Sequence, residues 1–139
     1  HIDVGYEGAE PDDPDVTMAG NPTLLKEMVR NLMDNAINYT PSNASKPGVI
    51  TARVLKDPFS KVLVVQVEDS GPGIPPAERE LVFQPFYRVL GTEADGSGLG
   101  LPIVVEIARQ HHASVTVEDS RPGQTPPGTC FTVRFEPVV

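Results

Sequence analysis

Length and composition place this chain among small folded domains: 139 residues give room for one core, and 39% hydrophobic with 22% charged residues excludes disorder throughout. A formal net charge of −8 argues against a nucleic-acid binder, which needs a basic footprint to displace counterions, although it leaves room for a nucleotide held with a metal ion. One cysteine, Cys130, excludes an intrachain disulfide and a cysteine-rich zinc site, and is compatible with a reducing compartment. The longest mainly apolar stretch, Val62 to Val67, falls far short of the ~20 residues of a membrane-spanning helix, and the opening residues are not expected to be a signal peptide. Because it starts at His1 rather than Met, we expect an excised piece of a longer protein.

Ile2–Tyr6 and Val16–Ala19 read as short strands around the acidic turn Glu10 to Asp15. Asn21-Pro22 predicts a helix start, with Asn as N-cap and Pro at the first helical position. That helix is expected to run to about Asn38, with Leu25, Met28, Val29, Leu32, Met33 and Ala36 as its apolar stripe. Pro41 to Gly48 is a loop. Val49–Leu55 and Lys61–Glu68 are predicted strands joined by a hairpin through Asp57-Pro58.

Pro75–Val82 is expected to be a short helix with Glu and Arg on its outer face, and Gly91–Gly98 a mobile polar loop. A second amphipathic helix, Gly100 to His111, is expected to bury Ile103, Val104 and Ile107. Ser114–Glu118 and Thr129–Phe135 complete the predicted strands around a Pro/Gly loop. Loosely segregated strands and helices, with hairpins at both ends, predict an α+β sandwich rather than a doubly wound parallel sheet.

Three segments carry chemistry. On the first helix, Asn31, Asn35 and Asn38 fall within ~60° of one another at 100° per residue. Asn costs roughly 0.5 kcal/mol against Ala in a helix interior, so such a row does not serve helix stability. An amide oxygen suits Mg²⁺ and its NH₂ can donate to a phosphate, while a polar edge satisfied by water is the plainer alternative. The second segment, Glu68 to Ile74, ends a strand with Asp69 followed by Gly71 and Gly73. A carboxylate there can accept from an exocyclic amine, favouring adenine over guanine, whose O6 is itself an acceptor; an acidic tight turn is the alternative. The third, Gly96-Ser97-Gly98-Leu99-Gly100-Leu101, leads into the second helix, where free N–H groups and the positive dipole end suit an anion. It has neither the G-x-G-x-x-G spacing of a dinucleotide fold nor the Lys of a P-loop, and a flexible hinge is its alternative reading. In between, Phe83 and Phe86 have the spacing of core residues, and Arg88 could reach a phosphate. Gly128-Thr129 opens the last strand with a hydroxyl available to a ligand.

In this order the segments resemble the catalytic, ATP-binding domain of bacterial sensor histidine kinases, a branch of the superfamily that includes gyrase B, Hsp90 and MutL. Asn31–Ala36 with Tyr39-Thr40-Pro41 is similar to the N box, Asp69–Ile74 to the G1 box, Phe83–Arg88 to the F box, Gly96–Leu101 to the G2 box, and Gly128-Thr129 to the last glycine motif. The likeness covers about Val16 to Phe135, and Phe-Tyr-Arg-Val-Leu-Gly before the G2 box resembles the tricarboxylate-sensing and quorum-sensing type.

The resemblance implies a two-layer α/β sandwich of the Bergerat type: a mixed sheet with helices on one face and a single ATP-binding domain over residues 1–139. Asn35 would hold Mg²⁺, with Asn31 near the phosphates; Asp69 would read the adenine amine, with Gly71, Gly73 and Ile74 shaping that pocket. Tyr39 would line the base or ribose, and Thr129 would join the pocket. Gly96, Gly98, Leu99, Gly100 and Leu101 would cradle phosphates beneath a lid of about residues 82–98 that carries Arg88, which would act with Asn31 in the reaction.

Three departures stand out: Asn38 where many relatives place a basic residue near the phosphates, His112-Ala113 in place of His-Gly, and Asp95-Gly96-Ser97 in place of a double glycine. His112 is thus expected to take a left-handed backbone itself. His111 and His112 read as surface or capping residues rather than phosphoacceptors.

As implied partners, the resemblance gives Mg²⁺–ATP, a separate helical dimerisation domain of the parent carrying the acceptor histidine, and a response regulator reached indirectly. It implies no nucleic acid and no membrane contact by this segment, which would be the cytoplasmic part of an inner-membrane sensor. Two other readings are an ATP-hydrolysing member of the superfamily and an interaction module without kinase activity. Gyrase-like relatives place a general-base Glu where Asn31 stands, and an amide cannot take a proton from water.

Overall fold

The computed structural model describes residues 2–8, 21–40, 48–56, 62–87 and 100–136. Five strands form one mixed sheet in the order β1-β2-β3-β5-β4, with β1 Ile2–Gly8, β2 Gly48–Lys56, β3 Leu63–Asp69, β4 Ala113–Asp119 and β5 Thr129–Phe135. Only β1 and β2 run parallel; every other neighbouring pair is antiparallel. The β2–β3 hairpin is present, closing through Lys56 opposite Leu63, while its expected turn at Asp57-Pro58 and the expected strand Val16–Ala19 lie outside the described residues.

Both helices cover one face of the sheet and lie side by side. Helix α1, Pro22–Tyr39, starts as its sequence dictates: the Asn21 side-chain oxygen accepts from the backbone N–H of Thr23 and Leu24, and Pro22 occupies the first turn. At its other end the Thr40 hydroxyl donates to the Ala36 carbonyl at 2.6 Å. Met28, Leu32 and Ala36 are buried, with Leu25, Val29 and Met33 packed beside them. Helix α2, Gly100–Gln110, buries Leu101, Val104, Ile107 and Ala108. Ile103, expected inside, is 38% exposed: a stripe through 101, 104 and 108 turns position 103 away from the sheet.

Alternation along β3 and β5 sends Leu63, Val65, Val67 and Asp69, and Thr129, Phe131, Val133 and Phe135, to the helix-covered face. The opposite face carries Gln66 against Thr132 and the ion pair of Arg53 with Glu68. Polar residues suffice there because no element among the described residues covers that side.

The expected helix at Pro75–Val82 is instead two single 3₁₀ turns, Pro76–Glu78 and Leu81–Phe83, and of its charges only Glu80 is fully on the outer face. Glu78 is buried and accepts from the Tyr87 hydroxyl at 2.5 Å, and Arg79 folds back onto the preceding loop. Of the two phenylalanines expected in the core, only Phe83 is held there, edge-on to Phe131 with ring centroids 6.1 Å apart. Phe86 is 70% exposed, because the chain after the second turn passes through a left-handed residue at Phe86 itself, φ 64°. His112 adopts the expected left-handed backbone at φ 55° and lets β4 start directly after α2.

Phe131 is fully buried in the middle of this packing and has little room to be replaced by a collapse of its neighbours. Phe131→Ala is expected to cost about 3–5 kcal/mol, read as a lowered urea midpoint with an unchanged slope.

Candidate functional site

Where β3 ends between β2 and β5, Asp69 is held at one oxygen. Its Oδ1 accepts from the N–H of Gly71 at 2.8 Å and from the N–H of Thr129, its register partner on β5, at 3.2 Å. The residue is only 5% exposed. Its Oδ2 carries no hydrogen bond among the described residues, yet no polar side-chain atom there is both sealed and unpartnered, so Oδ2 reaches solvent. Burial raises the carboxyl to a pKa of about 6; the two N–H donors pull it down and the charge of Glu68 adds to the rise.

The glycines around it leave space that no side chain could enter. A Cβ on Gly128, φ 70°, would stand 2.2 Å from the Asp69 carbonyl oxygen, and one on Gly73, φ 81°, would stand 2.8 Å from Pro127. Gly128 also donates its N–H to the Gly71 carbonyl at 3.0 Å, tying the loop after β3 to the β4–β5 hairpin. Ser70 completes the loop's other side: its N–H donates to the Val49 carbonyl and its hydroxyl oxygen accepts from the Val49 N–H. Ile74 rests on the apolar core.

The second half of the site faces the start of α2. Asn31 donates its amide NH₂ to the Glu27 carbonyl at 2.9 Å and to the Glu27 carboxylate at 3.3 Å. That fixes its Oδ1 toward α2, 3.3 Å from where a Cβ on Gly100 would lie. Asn35, half-buried, and Asn38, exposed, lie further along α1 with no side-chain hydrogen bond among the described residues. Asn31, the first of three amides with unspent oxygens, therefore stands across from a helix N-terminus whose first N–H groups have no intrahelical partner.

The structure thus brings Asp69, Gly71, Gly73, Ile74 and Thr129 together at the strand ends, and sets Asn31 against Gly100. The Leu101 side chain belongs to the core, leaving only its backbone for the site. Thr129 contributes through its backbone N–H rather than its hydroxyl. Arg88, Gly96, Gly98 and Leu99, the side chain of Tyr39, and all of the expected lid beyond Tyr87 lie outside the described residues. Sequence reading missed Glu27, although its place four residues before Asn31 is the spacing at which helical side chains meet. It also missed Arg79, whose long-range partners no local pattern reveals.

Fold and site together define the two-layer sandwich of the histidine kinase ATPase type. The chain belongs to the histidine kinase-, DNA gyrase B-, and HSP90-like ATPase family, whose model matches residues 20–138. It is 46% identical over 125 residues to the signal transduction histidine-protein kinase/phosphatase MprB of Mycobacterium avium, matching 87% of this chain and 23% of that protein. The Mycobacterium leprae protein of the same name is 46% identical over 115 residues, 82% of this chain and 21% of its own length.

Among solved structures, the mycobacterial sensor histidine kinase MprB superposes with a TM-score of 0.82 at 29% identity, covering 97% of this chain and 83% of that one. The catalytic domain of the histidine kinase ThkA in a nucleotide-free form gives 0.73 at 28% identity, covering 97% and 80%. The chain spans about a quarter of the length of the curated relatives it matches. These relatives lend no support to the tricarboxylate- or quorum-sensing placement, which rested on one short run before the G2 box.

The raised Asp69 carboxyl sets the sign of a pH effect. Between about pH 4 and 6 Asp69 holds more proton in the folded chain than in the unfolded one, so its contribution to stability falls as pH rises through that window and is level above it. Asp69→Asn keeps an acceptor for Gly71 and Thr129 without a buried charge. It is expected to be more stable than the parent at pH 7, by at most about 3 kcal/mol, the advantage disappearing toward pH 4 in urea titrations.

Proposed function

We propose that this domain binds Mg²⁺–ATP and, within a longer sensor kinase, presents the γ-phosphate to a histidine on a separate helical domain. The observation that carries the reading is Asp69: one oxygen held by two backbone N–H groups, the other presented at a strand end as a rigid acceptor. Such an acceptor matches the N6 amine of adenine and opposes the O6 of guanine. Gly71, Gly73 and Ile74 shape the pocket wall, Tyr39 is assigned to the base or ribose from its place in the N box, and Thr129 holds Asp69 in place.

The donor set fits magnesium held through a nucleotide rather than in a protein cage. Among the described residues no group of three His, Cys, Asp or Glu could hold a metal, whereas Asn31 and Asn35 offer hard amide oxygens. Asn35 is the proposed ligand, with Asn31 and Asn38 toward the phosphates. A magnesium ion held by Asn35 would supply charge neutralisation for the phosphates. Gly100 and Leu101 supply backbone N–H groups at the helix start, and Gly96, Gly98, Leu99 and Arg88 extend the cradle from the lid. Phosphoryl transfer asks the protein for positioning and charge compensation, and both come from this chain's amides and N–H groups.

The relatives' printed name, kinase and phosphatase, supports a parent that both adds and removes phosphate. No described helix is long and apolar enough to cross a membrane; the proposed setting is the cytoplasmic side of a membrane sensor, with a response regulator downstream. Asn31 in place of a general-base Glu supports phosphotransfer over steady ATP hydrolysis, since an amide cannot accept the proton of an attacking water.

Calorimetry with Mg²⁺–ATP tests the reading: binding is expected, and its absence overturns the assignment. In Asp69→Asn the two N–H donors keep the amide oxygen at the Oδ1 position, which turns the NH₂ toward the base, donor against donor. ATP affinity is expected to fall roughly ten- to a hundredfold, with GTP less affected. Incubated alone with γ-labelled ATP, the chain is expected to gain no acid-labile label, and label on His111 or His112 would contradict a separate acceptor domain.

A further inference from the structure

Arg79 was expected on a solvent-facing surface, yet it makes two directed contacts far apart in sequence. Its Nε donates to the Ile74 carbonyl at 3.1 Å and its Nη2 to Asp119 Oδ1 at 2.9 Å, with both ionic side chains about 30% exposed. Asp119 is the last residue of β4, in register with Thr129, whose N–H holds Asp69. The guanidinium therefore joins the far end of the loop that follows Asp69 to the hairpin that fixes Asp69.

Without it the loop has, among the described residues, one hydrogen bond to that hairpin, from Gly128 to Gly71, and a tight approach of Gly73 to Pro127. The 3₁₀ turn that Arg79 ends is anchored independently, through the Glu78–Tyr87 hydrogen bond, the burial of Val82 and the packing of Phe83 against the core. Removing the guanidinium leaves the turn seated and frees the Ile74 carbonyl and the adjoining loop. A planar fork reaches both acceptors at once, which a single ammonium cannot do.

We propose that Arg79 is a positioning residue for base selection: its bridge between Ile74 and Asp119 holds residues 71–74 against the end of β4, fixing the wall against which Asp69 reads a 6-aminopurine. This rests on the reading of the site as an ATP site. The wall meets the base and not the phosphates, so its loss weakens nucleotides according to the base they carry.

The test measures Mg²⁺-dependent binding of ATP, GTP and inorganic tripolyphosphate to the 139-residue chain and to Arg79→Ala, Arg79→Lys, Asp119→Ala and the double alanine variant. In Arg79→Ala, ATP affinity is expected to drop roughly tenfold, the size of one misplaced charge-assisted hydrogen bond. GTP and tripolyphosphate are expected to change by less than about twofold, so that the ATP-to-GTP ratio falls with ATP affinity. Arg79→Lys should recover part of the ratio, and the double variant should resemble either single one because both remove one bridge. If Arg79→Ala does not fold, the Lys variant carries the same comparison. An unchanged ATP-to-GTP ratio, or equal weakening of all three ligands, overturns the role of Arg79 while leaving ATP binding intact. Failure of the unsubstituted chain to bind ATP overturns the site assignment and Arg79 with it.

Discussion

A carboxylate buried at the end of a central strand is the constraint around which this domain is arranged. Asp69 loses water on folding and is compensated at one oxygen only, by Gly71 and Thr129. One N–H donor from the loop after β3 and one from the start of β5 can converge on a single oxygen only if β3 and β5 keep their register to the last residue. The glycines follow from the same demand. Gly128 passes so close to the Asp69 carbonyl that any side chain would break the pairing, and Gly73 turns where Pro127 leaves no space. Conformations that look like loop flexibility are thus the means by which one acid is aimed.

Aiming it costs stability, which the core must offset. Burial pushes the carboxyl to a pKa of about 6, the mark of a group held somewhere water would treat better. Phe131, Val133 and Val67 lie fully buried on the same two strands, so the apolar face that holds the sheet to its helices also fixes the strand ends. Recognition of a flat base benefits from that rigidity, since a donor-acceptor match discriminates only if the acceptor cannot turn away.

How far this was legible in the sequence depended on the range of the interactions. The cap at Asn21-Pro22, the stripe of α1 and the strand Thr129–Phe135 follow from neighbours a few residues apart, and all stand where periodicity puts them. The left-handed His112 followed from the lack of a glycine beside it. Asp69 was legible as a residue, but its two donors were not: Gly71 is near, whereas Thr129 is 60 positions away. The same distance hid Arg79, whose partner Asp119 lies 40 residues on, and made Pro75–Val82 look like an ordinary surface helix. Phe86 misled for a local reason: a spacing of three means a shared face only while the helix continues, and the 3₁₀ turn ends at Phe83.

Net charge poses the remaining question, because a chain at −8 repels a polyanion at long range. The answer lies in what stands at the site rather than in the total. On α1, Lys26 and Arg30 project to solvent, while Asn31 faces the start of α2 and Asn35 and Asn38 continue along the same side of the helix as neutral amides. Opposite them the start of α2 offers backbone N–H groups and the positive end of its dipole. Neutral donors of this kind discriminate poorly between anions but bind one strongly once a divalent ion shares the charge. Asn38, two turns beyond Asn31, extends that uncharged edge. With no fixed cation in the amide row, phosphates bound under the proposed reading would depend the more on the metal and on the helix end.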